Sequence, residues 1–240
     1  MVERFFFLRQ TPQFTTHHYS LDDDTMLLLS GPPSSGKTSL LFQLAFNAAS
    51  MSGEGEVVFI CNRRRLEANP PFLSQGIDPS SDTFHRIHIK YVEDDEAIKK
   101  YFSAFHLHDK IPHTVIVDDF GDLFDDRSCV ERYKNNPRGR DMAMVRTLAL
   151  CHNAILHANK TMPCQLVLGD THHGDGDSPR LLFIYRRWIS SFYTIIKGDD
   201  GSSSFLLKKN SYSRTALPRR TTAKYSIALQ YLVLEAITQD

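Results

Sequence analysis

The sequence has little cysteine, and its cysteines are not paired along the chain. Four occur in 240 residues, at positions 61, 129, 151 and 164, and none belongs to a CxxC pair. A zinc framework is therefore not expected. Cys61 and Cys164 lie beside apolar runs typical of strands, which predicts core thiols and favours a reducing compartment.

Long apolar runs are lacking as well. No stretch of eighteen consecutive apolar residues occurs, so we predict no transmembrane helix and no membrane partner. The run FFFL at positions 5–8 is flanked by charged residues and is too short for the apolar region of a signal peptide. We expect a short strand or a docked tail there.

Net charge is zero over the whole chain, but charge is unevenly distributed. Residues 179–224 contain ten lysines and arginines against two aspartates. This excess favours a polyanionic partner for the carboxyl-terminal third. A solvated basic surface explains the same composition, so both interpretations stay open.

Apolar runs alternate with helical patterns through the first two thirds of the chain. Strands are predicted at 25–30, 57–61, 84–89, 114–117 and 165–168. Helices are predicted at 37–50, 94–108 and 141–159, with loops at 62–82 and 125–139. Residues 181–236 predict antiparallel strands. The expected fold is α/β, with a mainly parallel central sheet and carboxyl-terminal antiparallel strands, as a tail (1–24) and one core domain (25–240).

Residues 31–38 match the pattern G-x-x-x-x-G-K-[ST], between a predicted strand and a predicted helix. Such a loop points backbone N–H groups at phosphate oxygens, beside the positive end of the helix. Its lysine reaches the β- and γ-phosphates and its threonine hydroxyl binds Mg²⁺. The predicted nucleotide-binding residues are Gly31, Pro32, Pro33, Ser34, Ser35, Gly36, Lys37, Thr38 and Ser39.

The predicted strand at 114–117 ends in a carboxylate, Asp118. In a phosphate-loop protein this aspartate holds Mg²⁺ together with Thr38, so Lys37 and Asp118 are the predicted catalytic residues. Asp119 is either a second carboxylate on the magnesium side or a helix cap. The expected cofactors are ATP and Mg²⁺. ATP is favoured over GTP because the guanine signature N/T-K-x-D is absent.

The chain resembles RecA-family recombinases and their eukaryotic paralogues. The resemblance rests on the phosphate loop, on Gly53-Glu54-Gly55 before the second strand, on RGRD at 138–141 and on QLVLGDT at 165–171. Within that family, the stretches LLFQLAFNAA at 40–49, VVFICNRRRLEANPP at 57–71 and TVIVDDFGDLF at 114–124 most resemble the small ATPase partner of the SWIM-domain protein in the Shu complex. That resemblance implies a RecA-like core, homologous recombination in the nucleus, and binding of single-stranded DNA. It also implies a SWIM-domain zinc protein and a recombinase or its paralogues as partners.

Two departures from the recombinase pattern predict slow ATP hydrolysis, and the resemblance implies that DNA stimulates it. Recombinases carry a water-activating Glu after the second strand, about where Arg63 stands here. A cation cannot act as a general base. The Gln that senses the γ-phosphate is also missing, at a position near Thr171. The sequence offers Glu67, or Asp119 acting on water, as a partial substitute for the missing Glu.

The predicted DNA contacts are Arg180, Arg186 and Arg187, which flank the region matching the second DNA loop of recombinases. Trp188, Phe192 and Tyr193 would place aromatic rings beside these cations, as single-stranded DNA requires. The alternative is that the rings pack in the core and the arginines are solvated.

Two other functions are compatible with the phosphate loop. A small-molecule kinase needs lid arginines that close over the transferred phosphate, and residues 125–140 contain four arginines. A non-hydrolysing scaffold would bind ATP without turnover, which Arg63 favours. The antiparallel tail predicted at 181–236 argues against the kinase.

Overall fold

A computed structural model describes residues 2–7, 25–51, 55–172, 179, 181–198, 204–211 and 221–239. Strands β1 to β9 are Met26–Gly31, Val57–Cys61, Ile87–Tyr91, Thr114–Val117, Gln165–Thr171, Ser191–Lys197, Ser204–Ser211, Thr221–Ala228 and Tyr231–Gln239. Helices α1 to α7 are Lys37–Met51, Arg63–Ala68, Asp95–Ser103, Asp122–Asp125, Arg127–Arg132, Pro137–Ala158 and Leu182–Tyr185. Short 3₁₀ helices lie at Val2–Phe5, Asp82–Arg86 and Phe105–Leu107.

All nine strands form one sheet, in the order β3-β2-β4-β5-β1-β6-β7-β8-β9. The pairs from β3 across to β6 are parallel, whereas β6 to β9 form an antiparallel meander. The predicted fold class, α/β with a mainly parallel sheet and carboxyl-terminal antiparallel strands, is therefore confirmed. Strands β1, β2 and β4 are buried along their whole length because both faces of the sheet are covered.

Strand order determines which loops meet. Strand β5 lies between β1 and β4, with Gly31 opposite Thr171 and Val117 opposite Leu168. Parallel strands end at the same edge of a sheet, so the loops after β1, β4 and β5 share one edge. In open α/β sheets this carboxyl edge is where ligands bind.

The two faces of the sheet carry separate apolar clusters. Helices α3 and α6 cover one face, through residues such as Phe102 and Leu148. Helix α1 covers the other face, and its Leu40 and Leu44 pack there with the amino-terminal segment 2–7. The core is therefore built from both ends of the chain.

The amino-terminal segment 2–7 is docked on the α1 face, as expected of a docked tail. The Phe5 ring lies 5.0 Å from that of Tyr193, and the Phe6 ring lies 5.7 Å from that of Tyr225. The Asn47 side chain in α1 donates hydrogen bonds to two carbonyl groups of the segment. The segment is held to the domain by ring contacts and by hydrogen bonds from the Asn47 side chain to its backbone carbonyls.

Three predicted boundaries are wrong. The third strand was expected at 84–89 but starts at Ile87, because Asp82–Arg86 forms a 3₁₀ helix. The predicted loops at 62–82 and 125–139 contain α2, α5 and the start of α6. A capping side chain begins each of these helices by accepting a backbone N–H. The caps are Asn62 for α2, Asp126 for α5 and Asn136 for α6.

Candidate functional site

The loop between β1 and α1 curls into a concave backbone. Ser34 and Gly36 have positive φ angles of 58° and 79°, and the Ser35 hydroxyl donates to the Pro32 carbonyl over 2.8 Å. A side chain at Gly36 would come within 2.5 Å of Ile227 in β8, so glycine is needed there for space and for conformation. Successive N–H groups in such a turn form an anion-binding concavity.

Lys37 is buried at the start of α1, and its ammonium donates to the Pro32 carbonyl over 3.0 Å. Burial lowers the pKa of this group, while the carboxylates of Asp119 and Asp118 act in the opposite direction. The lysine is thus folded over the loop that the motif assigns to phosphate. A phosphate would offer its ammonium a charged acceptor in place of a carbonyl.

The side chains of Thr38 and Asp118 are in contact at the carboxyl edge of the sheet, as the two sequence motifs predict. The Thr38 hydroxyl donates to Asp118 Oδ2 over 2.7 Å. Burial, followed by the nearby Asp119 charge, raises the pKa of Asp118 to about 7, although the Thr38 hydrogen bond lowers it. Asp118 Oδ1 is buried and has no hydrogen-bond partner among the described residues.

This arrangement fits a magnesium ion. Mg²⁺ usually takes one or two protein oxygen ligands and completes its shell with water and substrate phosphates. A hydroxyl, a carboxylate and one unsatisfied buried oxygen supply such a partial set. Over the described ranges, no cluster of three His, Cys, Asp or Glu side chains forms a complete metal cage. The ion would therefore need phosphate ligands.

Asp119 follows Asp118 with a positive φ of 50°. Its Oδ1 accepts from the Thr171 hydroxyl over 3.2 Å, and its Oδ2 accepts from Arg65 Nη1 over 3.1 Å. Arg65 also pairs with Asp122 at the start of α4. Asp119 is therefore neither a simple helix cap nor a free carboxylate.

The arginine that enters this site is Arg65, not Arg63. The Arg63 side chain points away, pairs with Glu67 over 2.8 Å and lies over the ring of Tyr91. From the sequence, Arg63 was expected at the position of the missing Glu, and Arg65 was overlooked. Asn62 caps α2, so both arginines lie in a helix, where residues two positions apart project in different directions.

A polar cleft of about 260 Å³ opens beside Asp118. It lies beyond the ends of β2, β3 and β4 and is bounded by residues of α4 and α5. Its charged lining includes Arg65, Glu93, Asp118, Asp119, Asp122 and Asp125. The cleft is large enough for water and for part of a phosphate group, and its acidity suits a cation-bound ligand.

Another buried carboxylate at this edge of the sheet, Asp170, was missed from the sequence. It lies in β5, and Tyr185 in α7 donates to its Oδ2 over 2.7 Å. Burial raises the pKa of Asp170 to about 7, against the lowering effect of the Tyr185 hydrogen bond. The next residue along β5, Thr171, contacts Asp119. The hydrogen bonds therefore connect α7 to the cleft.

Ser39 was predicted to bind nucleotide, and its hydroxyl has a structural partner. It accepts the Phe72 backbone N–H over 2.9 Å. Gln43, one turn later in α1, accepts the Ser74 N–H in the same way. A nucleotide contact from Ser39 would therefore use its backbone N–H, which lies in the first turn of the helix and lacks an intrahelical partner.

The predicted DNA contacts are only partly described. Arg186 and Arg187 are exposed after α7, whereas Arg180 lies outside the described residues. Phe192 and Tyr193 are buried, and Trp188 is half-buried against the His152 ring. These three rings therefore pack in the core, as the alternative interpretation expected. The exposed ring in this region is that of Phe183, which is 66% exposed.

The arginines proposed as a kinase lid are mostly occupied by carboxylates. Arg132 pairs with buried Asp95 over 2.6 Å, and Arg127 pairs with Glu131 over 2.7 Å. Arg140 pairs with Asp125. These contacts lie within and between helices α3 to α6, which pack on the core, and they do not form a free loop of cations.

The geometry of the site and the strand order define a RecA-like P-loop NTPase fold. No protein-family model matches the chain, and no curated protein matches it by sequence. Among solved structures, the chain is similar to the KaiC-like protein PH0186 of the hyperthermophilic archaeon Pyrococcus horikoshii OT3. The TM-score is 0.57 at 15% identity, over 88% of this chain and 89% of that one. Within the described part of the chain, no helix has the length and apolar character needed to cross a membrane.

Proposed function

We propose that this protein binds ATP with Mg²⁺ and hydrolyses it slowly. The observation that carries the proposal is the hydrogen bond of the Thr38 hydroxyl to buried Asp118 at the first turn of α1, beside buried Lys37. Burying a carboxylate is costly unless a partner compensates its charge. A phosphate chain with its cation would balance them.

Each part of the site has a distinct role in this proposal. The loop N–H groups and the α1 amino terminus bind the phosphates, and Lys37 neutralises their charge. Thr38 and Asp118 hold Mg²⁺, which, when bound, neutralises charge on the β- and γ-phosphates. Tyr225 donates to the Ser35 carbonyl over 2.7 Å and so keeps the loop in position from below.

Slow turnover is supported by the two positions at which the recombinase pattern is broken. Arg63 supplies no base and its side chain is turned away to Glu67, and the Thr171 hydroxyl is bound to Asp119. The non-hydrolysing scaffold differs only in having no turnover at all. The kinase alternative is weaker, because its lid arginines are held in ion pairs and because β7 to β9 form the antiparallel tail that argues against it.

We expect saturating Mg-ATP to raise the melting temperature by about 5–10 °C, since a ligand at ~100 times its Kd adds about 2.7 kcal/mol. Lys37→Ala weakens ATP binding by about tenfold or more, because a charged hydrogen bond is lost. Lys110→Ala, which changes an exposed lysine far from the loop, is the matched control. Thermal shift and calorimetry with ATP and GTP measure both effects. Equal binding by the Lys37 variant and wild type would contradict the proposal.

We further propose that the protein is an accessory subunit of a nuclear homologous-recombination complex. Support comes from the sequence resemblance to the Shu-complex ATPase, which implies a SWIM-domain zinc protein and a recombinase or its paralogues as partners. Single-stranded DNA is the proposed polyanion. Arg186, Arg187 and exposed Phe183 lie three and four positions apart, a spacing that places side chains on one side of a helical turn.

For DNA, we expect a labelled oligonucleotide to bind with an affinity that falls steeply as salt rises. Arg186→Ala with Arg187→Ala reduces affinity about tenfold at low salt and makes the salt dependence shallower by about 1–2 in slope. Arg146→Ala, in the exposed face of α6, is the control. Fluorescence anisotropy is the measurement. An affinity independent of salt, or no binding by wild type, would remove the DNA proposal and leave the ATP proposal untouched.

A further inference from the structure

We propose that the tip of the β8–β9 hairpin, formed by Leu229 and Gln230, contacts the purine base of the bound nucleotide and favours adenine over guanine. This inference rests on the proposed ATP binding and names the part of the protein that recognises the base. The phosphate loop, Thr38 and Asp118 meet only the phosphates and their cation, so they leave the choice of base to other residues.

Strand β8 contacts the phosphate loop directly. Tyr225 donates to the Ser35 carbonyl over 2.7 Å, and a Cβ atom at Gly36 would lie 2.5 Å from Ile227 Cδ1. Leu229 follows Ile227 by two residues, which span at most about 7 Å of chain. The tip of the hairpin is therefore close to the phosphate loop.

The tip also lies at the carboxyl edge of the sheet. Strand β8 is antiparallel to β7, and β7 is antiparallel to β6, which runs parallel to β1. Strands β8 and β1 therefore run in the same direction and end at the edge where α/β sheets bind ligands. A short segment joins the hairpin to the start of α1, because the Phe72 N–H donates to Ser39 over 2.9 Å and the Leu232 N–H donates to the Leu73 carbonyl over 3.1 Å.

The order of the strands indicates which side of the phosphate loop the base occupies. The loop follows β1, which has β5 and β4 on one side and β6 to β9 on the other. Asp118, the proposed Mg²⁺ ligand, follows β4, so the β- and γ-phosphates lie towards that side. The base is at the opposite end of ATP. It therefore extends towards β6–β9, where the hairpin tip lies.

The two sides of the loop also differ in chemistry. The cleft beyond β4 is lined mainly by charged side chains, whereas residues 225–234 contain no charged residue. A ligand-binding surface for an uncharged ring needs apolar contacts and a few polar groups. Leu229, which is 91% exposed, offers an apolar surface to a face of the purine ring.

Gln230 supplies the polar group. Its side-chain amide has both a donor and an acceptor, so it can hydrogen-bond N7 and the N6 amino group of adenine at the same time. Guanine presents two acceptors at the same edge, N7 and O6, and cannot satisfy the amide oxygen there. This pairing gives a physical reason for a preference for ATP over GTP.

The needs of the turn do not explain these two residues. Ala228 pairs with Tyr231, so the turn has two central residues, and their φ angles are 51° at Leu229 and 63° at Gln230. Such a turn favours Asn-Gly, because positive φ is costly for residues such as leucine. Backbone strain of this kind is concentrated at ligand-binding sites.

The test compares affinities for ATP, GTP and inorganic tripolyphosphate, each with Mg²⁺, by calorimetry. Tripolyphosphate lacks the base, and GTP differs from ATP only in the base. We expect wild type to bind ATP about tenfold more tightly than GTP. Tripolyphosphate should bind about 10–100-fold more weakly than ATP, because it loses the contacts of the base.

The principal variant is Leu229→Asn with Gln230→Gly. It places the residues that this turn prefers, so the hairpin persists and the melting temperature does not fall. We expect ATP affinity to fall about tenfold, whereas tripolyphosphate affinity changes less than about twofold. Gln230→Ala lowers the preference for ATP over GTP to about twofold or less. Leu107→Asn is the matched control, because it changes an exposed leucine beside β3 at the other edge of the sheet.

A direct readout is a nuclear Overhauser contact between adenine protons and the Leu229 methyl groups in the Mg-ATP complex. Its absence at saturation, or unchanged ATP affinity in the double variant, overturns the inference and leaves the proposed ATP binding in place. Equal losses of ATP and tripolyphosphate affinity have the same meaning. An unchanged preference for ATP in Gln230→Ala overturns the role of that residue. If wild type binds neither ATP nor tripolyphosphate, the proposed function fails and this inference fails with it.

Discussion

Asp118→Asn raises the melting temperature of the ligand-free protein by about 4–8 °C at pH 8 and weakens Mg²⁺ binding in the ATP complex by about 10–100-fold. The first effect follows from the buried carboxyl group, whose pKa is raised from 3.8 to about 7. A pKa raised this far corresponds to ~4 kcal/mol, of which about half, ~2 kcal/mol, is expected to be gained because neighbouring charges rearrange. Asparagine keeps an oxygen that can accept from Thr38.

The stability gain depends on pH in a defined direction. A carboxyl group with a raised folded-state pKa contributes stability in its protonated form, fully below the unfolded pKa near 3.8. That contribution is lost as pH rises through about 7. Asp118→Asn cannot ionise, so its advantage over wild type is small near pH 4, grows as the pH rises towards 7 and then levels off.

Scanning calorimetry from pH 5 to pH 8 measures the effect, and Asp109→Asn on the surface is the control. Isothermal titration of the ATP complex with Mg²⁺ measures the loss of Mg²⁺ affinity in Asp118→Asn. A lower melting temperature of Asp118→Asn at pH 8, or a difference from wild type that does not change with pH, would show that the carboxylate is satisfied in the ligand-free protein. The magnesium assignment would then lose its structural basis.

Tyr225→Ala costs about 3–5 kcal/mol of folding stability, because a fully buried aromatic ring is removed between Phe6 and Phe205. The same change frees the phosphate loop, since Tyr225 donates to the Ser35 carbonyl over 2.7 Å. Tyr225→Phe keeps the ring and removes only the hydrogen bond. It should cost about 1–3 kcal/mol, because a buried carbonyl loses its donor.

The two variants separate packing from loop positioning. Denaturant unfolding gives the stability loss, and calorimetry with Mg-ATP gives the binding loss. We expect Tyr225→Phe to bind ATP about 3–10-fold more weakly while the fold persists, and Tyr185→Phe serves as a control for loss of a different buried hydroxyl. Unchanged ATP affinity in Tyr225→Phe would mean that the loop holds its shape without this contact.

The sequence predicted those parts of the site that are local in the chain. The strand, the loop and α1 are contiguous, so the motif specified their geometry, and the apolar run before Asp118 placed its carboxylate at the correct edge of the sheet. The contact between Thr38 and Asp118 followed from two motifs and from the parallel topology. These inferences need only strand order and the fact that neighbouring parallel strands end together.

The other features of the site could not be predicted, because they depend on the residue at which a helix begins and on partners that are distant in the sequence. Arg63 and Arg65 differ by two residues, and which of them enters the cleft is decided by the start of α2 at Asn62. Nothing local to Asp170 or Tyr225 indicates their partners, which lie 15 and 190 positions away. Such pairs form because tertiary packing brings buried polar groups together, and periodicity carries no information about them.

The docked segment 2–7 has a consequence for the order in which the protein is made. Phe5 and Phe6 are translated 188 and 219 residues before Tyr193 and Tyr225, respectively, whose rings they contact. Translation proceeds at about 5–20 residues per second, so these phenylalanines wait for roughly ten seconds or more without their partners. The apolar cluster on the α1 face is therefore incomplete until β8 has been translated. Until then its apolar surface is exposed, and chaperones can bind it.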